Sequence, residues 1–498
     1  MFHEQPVPEI PRHKTAIVRV GYSKPVSLAI SHQVIRPGRS VFDFGCGRGT
    51  DVARLAKEGY STAGWDPNFK PDAPRIPADV VNLGYVINVI EDAGERRGVL
   101  EAAYKLAKSC LVVSAQISYL ASPDAGQAYA DGILTRRGTF QKYYSQEELR
   151  KFIEEVLGVE PVPAALGVFY VFRDEGERQS FLLSQVSRRV SREPRTRVPL
   201  EESLAPFREL LEAFSAQVDL LGRVPRESEF PGLPELNEKV GSTSRCLKLC
   251  EKLFGSFSFS EARRLRSEDL LVYIALSRFG RRPRFSDLPE ALQWDIRDIF
   301  GTYARACDQG DELLFRVGKP DVVNQACMAS KLGKLLPDDL YVHLSAVDRL
   351  DSVLRVYVGC ARAVLGEVED ANIVKIHRHT GKVSYLAYPK FEKDPHPALA
   401  KAVKINLRTR EVWVRDYSAS DNPPILHRKE TFVPPEHPLR PKFEELTRKE
   451  EAAGLLDTTQ PIGFLKGWTE VLAEKGYQLR GHRLQRAKPK GADGSKRG

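Results

Sequence analysis

Residues 40–49, SVFDFGCGRG, decide the fold of the first third of this chain. They predict a hydrophobic strand, a tight glycine turn and the start of a helix. Because glycine lacks a Cβ, the backbone can turn sharply and a flat ligand can lie against it, facing the free N–H groups of the helix. Residues 61–66, STAGWD, predict a second strand ending in Asp66, whose carboxylate can accept both hydroxyls of a ribose. A nucleoside-bearing cofactor fits this arrangement.

The spacing of the glycines narrows the class of cofactor. A dinucleotide fingerprint needs G-x-G-x-x-G, whereas Gly45, Gly47 and Gly49 alternate here and follow Asp43. A carboxylate in the first strand would repel a pyrophosphate and suits a cationic amino-acid ligand. This D-x-G-x-G-x-G resembles motif I of the class I S-adenosylmethionine-dependent methyltransferases, which implies S-adenosylmethionine as the cofactor. The alternative is a structural glycine turn in another α/β protein.

The next segments predict a doubly wound, Rossmann-like α/β domain. Residues 78–92 are rich in β-branched side chains, which is typical of a parallel strand buried on both faces. A helix over 95–108, a strand over 111–115, a helix over 146–157 and a closing strand over 168–172 follow. Open sheets of this kind bind ligands at the carboxyl ends of their strands.

Eight motifs spread along nearly the whole chain point to one family. They are HKTAIVR (13–19), FGCGRG (44–49), GWDP (64–67), VNLGYVINVIE (81–91), DLLVY (269–273), RF and RP (278–283), DPHP (394–397) and NPPILHRKE (422–430). Together they resemble the DNA phosphorothioation-associated methyltransferases. The resemblance implies S-adenosylmethionine, a DNA target and partners among phosphorothioation and antiviral defence proteins.

The site residues follow from these strands and turns. We expect Asp43 to orient the amino-acid end of the cofactor and Asp66 to bind its ribose. The full set of expected cofactor residues is Asp43, Gly45, Cys46, Gly47, Asp66, Pro67, Asn82 and Leu83. The third strand usually abuts the methyl group, and its expected catalytic residues are Asn82, Tyr85, Asn88 and Glu91.

Two DNA-methyltransferase signatures are missing from the third strand. Amino-methylating enzymes carry [DNS]-P-P-[YFW], and cytosine-C5 enzymes carry a Pro-Cys nucleophile. Residues 422–425, NPPI, match the first signature superficially but lack the aromatic residue. A rigid turn is the favoured interpretation of this segment.

Basic residues cluster in a chain whose formal net charge is +9. Such clusters attract phosphate backbones through counterion release. Arginines crowd a linker near residues 188–197, and further basic residues lie in the tail after residue 480. The residues expected to contact nucleic acid, with DNA favoured, are Arg278, Arg281, Arg282, Arg284, His427, Arg428 and Lys429.

Composition bounds the remaining possibilities. The seven cysteines are scattered and odd in number, which favours a reducing cytoplasm over a disulfide framework. Cys246 and Cys250 are interpreted as buried structural residues, and His377, His379 and His396 lack metal-ligand spacing, so no metal is expected. Residues 1–11 lack the apolar core of a signal peptide, and no run of eighteen apolar residues predicts a membrane span.

Changes in pattern along the 498 residues divide the chain. The predicted parts are a methyltransferase domain over 1–180, a basic linker over 181–199, a helical domain over 200–370, a small α+β domain over 371–480 and a basic disordered tail over 481–498. Three functions stay open at this point. They are methylation of nucleic acid, methylation of a small molecule, RNA or protein, and a catalytically silent DNA-binding role in a defence complex.

Overall fold

The structure is a computed structural model that describes residues 10–118, 126–188, 207–254 and 258–487. Three stretches discussed above lie outside the described residues. They are residues 1–9, the linker arginines from Arg189 to Arg197 and the basic tail after residue 487. The described chain falls into two compact units. The first reaches Arg173 and includes Cys327–Val347 and everything from Cys360 onward, while the second comprises Asp174–Ala326 and Asp348–Gly359.

The N-terminal part of the first unit is an α/β fold with a six-stranded main sheet and a separate three-stranded sheet of order β5-β6-β7. Its helices are α1 Lys24–Ser31, α2 Thr50–Lys57, α3 Ala93–Leu106 and α4 Gln146–Leu157. Its strands are β1 Val41–Phe44, β2 Thr62–Trp65, β3 Ala78–Gly84, β4 Ala107–Ser114, β5 Gly126–Tyr129, β6 Gly132–Thr135, β7 Phe140–Gln141, β8 Val162–Ala165 and β9 Val168–Phe172. The third strand therefore ends at Gly84, earlier than its apolar run predicts, and residues 85–92 form a loop.

The order of the strands places a ligand crevice at the end of β1. The main sheet has the order β2-β1-β3-β4-β9-β8, with β1 parallel to both β2 and β3 and β9 antiparallel to β4. The chain leaves β1 toward β2 on one side and returns to β3 on the other. This reversal is a topological switch point, where open α/β sheets bind ligands. The fold-class prediction is confirmed for this part of the chain.

Burial explains why these segments became strands and helices. All four residues of β1 are buried, and Phe42, Val81 and Leu111 are fully enclosed in one core. Such continuous apolar strands need cover on both faces. Helix α4 has the predicted bounds, and a capping box fixes its start. The Ser145 hydroxyl accepts from the Glu148 N–H, and the Glu148 carboxylate accepts from the Ser145 N–H.

The second unit is helical in its described residues. Its sequence carries α5 Glu175–Ser184, α6 Arg208–Leu221, α7 Leu233–Val240, α8 Thr243–Leu253, α9 Phe259–Leu276, α10 Glu290–Phe300, α11 Tyr303–Val317 and the start of α12 Pro320–Ala329. Helix α10 ends at Phe300 because Gly301, which follows it, adopts a φ of +79°. Cys246 and Cys250 are fully buried free thiols, as expected.

A second sheet lies in the C-terminal part of the first unit. Its antiparallel strands run in sequence order: β10 Lys334–Leu335, β11 Asp339–His343, β12 Ala371–His377, β13 Lys382–Ala387, β14 Lys401–Asn406 and β15 Val412–Asp416. Helix α13 Ser352–Leu365 begins in the second unit and belongs to this region from Cys360 onward. Helices α14 Arg440–Ala452 and α15 Leu465–Glu474 complete the region with the hairpin β16 Tyr477–Arg480 and β17 Arg483–Arg486.

Two expectations about this region change. Strands β10 and β11 lie inside the stretch assigned to a helical domain. Strand β10 pairs with β11, and β11 joins the sheet by pairing with β12, which is distant in the sequence. Strand β17 lies inside the stretch expected to be a disordered tail, and it pairs with β16 over four residues. Among the described residues, no helix is both long and apolar enough to cross a membrane.

Candidate functional site

The glycine turn after β1 forms the floor of the crevice. The Gly45 and Cys46 N–H groups donate to the Trp65 carbonyl at 2.8 and 3.0 Å, which holds the turn against β2. Gly45 has a φ of +82°, and a Cβ there would lie 2.5 Å from Val86 Cγ2. The loop after β3 therefore approaches the turn so closely that only glycine fits. The loop after β1 and the loop after β3 are therefore in close contact at the switch point.

A buried carboxyl lies directly beneath this turn. Asp43 is only 6% exposed and pairs in register with Asn82 of β3. The Asn82 amide donates to Asp43 Oδ1 at 2.8 Å. Burial raises the pKa of Asp43 to about 7, against the opposing effects of the Asn82 bond and the Arg19 charge. A cation bound above Asp43 would restore its ionised form.

Asn82 itself has unused bonding capacity. It is 2% exposed, and among the described residues no group donates to its Oδ1. An orphaned buried oxygen of this kind costs free energy unless a ligand satisfies it. Asn82 and Asp43 together therefore suit a ligand with N–H groups.

Asp66 is held in a fixed orientation at the end of β2. Its Oδ2 accepts from the Gly47 N–H at 2.9 Å, and its Oδ1 accepts from the Asn68 and Phe69 N–H groups at 2.9 Å each. An ionised carboxylate has about four acceptor positions. One position on Oδ2 stays open for a hydroxyl at the rim, beside the exposed Pro67.

Two cofactor candidates contribute less than expected. The Leu83 side chain is fully buried in the sheet core, so only its backbone can reach a ligand. The Cys46 thiol lies 3.7 Å from the Gly47 carbonyl. Burial, and then the Asp43 charge, raise the pKa of Cys46 to about 12, which keeps it a thiol.

The loop after β3 carries two polar candidates. Tyr85 has a φ of +60°, which is unusual for a bulky residue. Its N–H donates to the Ser114 carbonyl at 3.0 Å, which ties the loop to β4. Asn88 is 2% exposed, and none of the described residues donates to its Oδ1. Both residues therefore belong to the loop that follows the carboxyl end of β3, and Asn88 Oδ1 is an acceptor without a donor among the described residues.

Glu91 is a structural partner, which corrects its assignment as a catalytic residue. Arg12 donates to both of its oxygens at 2.9 and 2.8 Å and also contacts Glu95 at 2.6 Å. The Arg12 bonds hold the pKa of Glu91 below its usual range, so the carboxylate is a poor base. Arg12 lies 79 residues away, and the sequence carries no signal for the pair.

The segment before α1 covers part of the glycine turn. Ala16 Cβ lies 3.2 Å from the position a Gly47 Cβ would take. The following Ile17, Val18 and Val20 are exposed large apolar side chains.

Cations surround the crevice. The Arg75 guanidinium lies 3.7 Å from the centroid of the Trp65 ring, and the Arg48 guanidinium lies 5.0 Å from that of Phe69. Lys70 Nζ is 3.1 Å from where a Gly49 Cβ would stand. Arg19 lies over the Tyr85 ring at 5.9 Å. Sequence analysis missed these four, since isolated basic residues carry no pattern.

The basic residues expected to contact nucleic acid separate into two groups. Arg278, Arg281 and Arg284 are exposed, although Arg278 also approaches Asp311 at 3.5 Å. Arg282 is largely committed to Asp311 at 2.5 Å. The remaining three, His427, Arg428 and Lys429, lie in the first unit.

Lys429 is a correction. It is 2% exposed, and its Nζ contacts the Phe391 and Asp394 carbonyls and His482 Nε2 at 2.6–2.8 Å. A buried amino group with three internal partners cannot reach a phosphate. Arg428 pairs with Glu451 at the surface.

His427 and the NPP segment are also structural. His427 donates from Nε2 to the Ile462 carbonyl at 2.6 Å, so it is an internal contact. Asn422 Oδ1 accepts from the Lys466 N–H at 2.9 Å, which ties the Pro-Pro segment to the start of α15. The rigid-turn interpretation of residues 422–425 agrees with this contact.

No protein-family model matches the chain, and no curated protein matches it. Among solved structures, it is similar to a 1,6-didemethyltoxoflavin N1-methyltransferase from Burkholderia thailandensis with bound S-adenosylhomocysteine, at 14% identity and a TM-score of 0.22 over 30% of this chain and 76% of that one. A sugar N-methyltransferase from Streptoalloteichus has 15% identity and a TM-score of 0.24, over 30% and 86%. A methyltransferase from Methanosarcina mazei has 14% identity and a TM-score of 0.22, over 29% and 94%.

Proposed function

We propose that this chain is an S-adenosylmethionine-dependent methyltransferase that acts on nucleic acid, with DNA favoured. One observation carries the cofactor assignment. The buried Asp43–Asn82 pair lies beneath the glycine turn at the switch point, with one oxygen of Asn82 unsatisfied. A ligand that is both cationic and an N–H donor supplies what this pair lacks, and the α-ammonium of S-adenosylmethionine is such a group.

The remaining residues of the crevice suit the rest of that ligand. The tight approach of Val86 to Gly45 leaves a narrow cradle of backbone at the turn. Asp66, oriented by three backbone N–H groups, keeps an acceptor position for the ribose hydroxyls. Trp65, between Phe44 and Arg75, offers an aromatic wall near the adenine position.

When bound, S-adenosylmethionine supplies a methyl group activated by a sulfonium. The chain's own contribution is then alignment and exclusion of water. Asn88 Oδ1 can accept a hydrogen bond from the N–H of an amine that is to be methylated, and this bond would orient the lone pair of the amine nitrogen. Because Glu91 is engaged by Arg12, we assign no carboxylate base to the loop, and an amine that has been methylated can release its proton to water.

The cations around the crevice support a polyanionic acceptor. Arg48, Lys70 and Arg75 are exposed, and Arg19 flanks Tyr85. Such groups bind phosphates and release counterions. In the second unit, Arg278, Arg281 and Arg284 offer further exposed charge. The family resemblance adds the expectation of a DNA target, an association with DNA phosphorothioation and defence-system proteins as partners.

Methyl incorporation tests the proposal. The purified chain is incubated with S-adenosylmethionine labelled on the methyl group and, separately, with duplex DNA, phosphorothioated DNA, tRNA, free nucleosides and cell lysate. We expect label in DNA that nuclease releases and protease does not. The variant Asp43→Asn should lose this label, while Asp79→Asn, at the opposite end of the same sheet, should retain it.

Each other outcome identifies a different function. Label in nucleosides alone would indicate a small-molecule methyltransferase, and label in tRNA or lysate protein would move the acceptor to RNA or protein. Salt-dependent DNA binding without cofactor binding or label would indicate a silent binding component and contradict the proposal.

A further inference from the structure

Three residues from distant parts of the first unit meet in its C-terminal region. His396 precedes β14, His427 follows the Pro-Pro segment, and Glu450 lies on α14. One ligating atom from each lies within 4.8 Å of the others. His396 and Glu450 are 54 residues apart in the chain, which is why sequence spacing predicted no metal site.

The ring protons of both histidines are fixed by backbone carbonyls. His396 Nδ1 lies 3.2 Å from the Leu426 carbonyl, and His427 Nε2 lies 2.6 Å from the Ile462 carbonyl. A carbonyl oxygen only accepts, so these two nitrogens carry the protons. The other nitrogen of each neutral ring, His396 Nε2 and His427 Nδ1, is therefore left with a lone pair. These two lone pairs belong to the cluster.

Two further atoms of the cluster are unsatisfied. Glu450 is 0% exposed, and within the described part of the chain its Oε2 has no hydrogen-bond partner. The same holds for His427 Nδ1. His396 Nε2 lies 2.7 Å from Glu450 Oε1, so a lone pair faces a carboxylate oxygen. Such a contact is stable only when a proton or a metal cation lies between the two atoms.

The neighbouring lysine does not supply that cation. Lys429 directs its Nζ at the Phe391 and Asp394 carbonyls and at His482 Nε2. These three contacts use all three of its N–H groups.

We propose that His396 Nε2, His427 Nδ1 and the Glu450 carboxylate bind a divalent transition-metal ion of the zinc class, with water in the fourth position. Two imidazoles and one carboxylate are a ligand set that zinc accepts, whereas calcium and magnesium prefer oxygen alone. The Leu426 and Ile462 carbonyls orient the rings as outer partners of metal-bound histidines do.

The geometry requires only small movements to bind the ion. Tetrahedral zinc with bonds of about 2.0–2.1 Å separates its ligand atoms by roughly 3.3 Å. The 2.7 Å contact between His396 and Glu450 must open slightly, and the wider contacts, all within 4.8 Å, must close. The Trp468 ring lies 4.7 Å from each imidazole and shields the cluster from bulk water.

The bound ion would connect three segments of the chain, of which only the one that carries Glu450 belongs to a helix. The ion links the turn at His396 and the segment at His427 to helix α14. We therefore expect removal of the ion to destabilise this C-terminal region and to leave the crevice residues unchanged. This outcome is independent of methyl transfer, so the two proposals can fail separately.

The experiment uses the full chain, stripped with a chelator and dialysed into metal-free buffer near pH 8. Zinc is titrated against a chromophoric chelator, and cobalt binding is followed by its visible absorption. We expect one equivalent of metal and the intense visible bands of tetrahedral cobalt. Glu450→Gln, which preserves shape, and His427→Ala should each weaken binding at least tenfold, with folding checked by circular dichroism. His379→Ala, on the exposed turn after β12, is the matched control and should bind normally.

Thermal unfolding provides a second measurement. Added zinc should raise the melting temperature of the stripped wild-type chain and of His379→Ala, but not that of Glu450→Gln. Absence of stoichiometric zinc or cobalt in the wild type, or unchanged binding in Glu450→Gln, would overturn the proposal. The cluster would then be a buried pair that shares a proton, consistent with a Glu450 pKa raised to about 7 by burial.

Discussion

Replacing Asp43 with Asn should stabilise the ligand-free protein while weakening the binding of its cofactor. The two side chains have the same shape, and an Asn at this position could still accept the 2.8 Å bond from the Asn82 amide. Apart from exchanging Oδ2 for an NH2 group of similar size, the substitution removes only the capacity to ionise. Its effect therefore isolates the electrostatic cost of keeping a carboxylate beneath the glycine turn.

The magnitude and sign follow from the raised pKa. The pKa of Asp43 rises from about 3.8 in the unfolded chain to about 7 in the folded chain, chiefly through burial. Between these two values the folded state binds the additional proton, so the wild type loses stability as the pH rises from about 4 to 7. Roughly three pKa units correspond to at most about 4 kcal/mol. The Asn variant is spared this loss and should be more stable than wild type above about pH 7.

Hydrogen exchange of the strands measures this difference locally. In a chain with two units, a single unfolding free energy is not well defined, so peptides covering β1 and β3 are compared between variant and wild type at each pH. We expect equal exchange near pH 4, and slower exchange in Asp43→Asn near pH 8. A ratio that does not change with pH would refute the assignment of a neutralised Asp43.

Asp79 provides a matched control with the opposite sign. It accepts bonds from the Ser40 N–H and hydroxyl at 2.8 and 2.7 Å, and these bonds lower its pKa. Its stabilising contribution is present above the unfolded pKa and is lost as the pH falls below it. Asp79→Asn should therefore exchange faster than wild type near neutral pH, without a change in cofactor affinity. S-adenosylmethionine should slow exchange in the wild type and in this control, but hardly in Asp43→Asn.

Three further substitutions test the crevice. Asp66→Ala should weaken S-adenosylmethionine binding by about 1–3 kcal/mol through lost hydrogen bonds to a charged group, and unchanged affinity by calorimetry would contradict the ribose assignment. Gly45→Ala should destabilise the protein by about 1–3 kcal/mol or more, because strain at positive φ adds to the Val86 clash; Gly138→Ala, at a φ of +74° with open space around it, should show a clearly smaller drop in melting temperature. Glu91→Gln should leave the rate of methyl transfer within about threefold of wild type, since its carboxylate serves Arg12, and a far larger loss would restore it as a catalytic group.

The features predicted well from the sequence are those fixed by local chemistry. The glycine turn follows from the absence of a Cβ, helix α4 from its capping box, and strand β9 from continuous apolar and aromatic residues. Asp43 and Asn82 were placed together because parallel strands bring their carboxyl ends to one edge. Each of these inferences needs only a short window of sequence and the period of one element.

The features that the sequence missed depend on partners far along the chain. Glu91 was predicted to be catalytic, but both of its carboxylate oxygens accept hydrogen bonds from Arg12. Lys429 was predicted to contact phosphate, but its Nζ is enclosed by backbone carbonyl groups. Charge alone does not reveal whether a side chain faces solvent or an internal acceptor. The His396–His427–Glu450 cluster was hidden for the same reason, because its three members become neighbours only after the second sheet has formed.

The two ends of the paired strands β1 and β3 show where this fold tolerates unsatisfied polar groups. At the amino end, Asp79 and Ser40 satisfy each other through three hydrogen bonds. At the carboxyl end, three residues further along each segment, Asp43 is buried against a neutral amide and Asn82 Oδ1 has no donor among the described residues. This asymmetry within one pair of strands is a free-energy cost located at the crevice, and a cationic ligand would remove it. The same reasoning requires Asp43→Asn to gain stability and lose affinity together, since both effects come from one carboxylate.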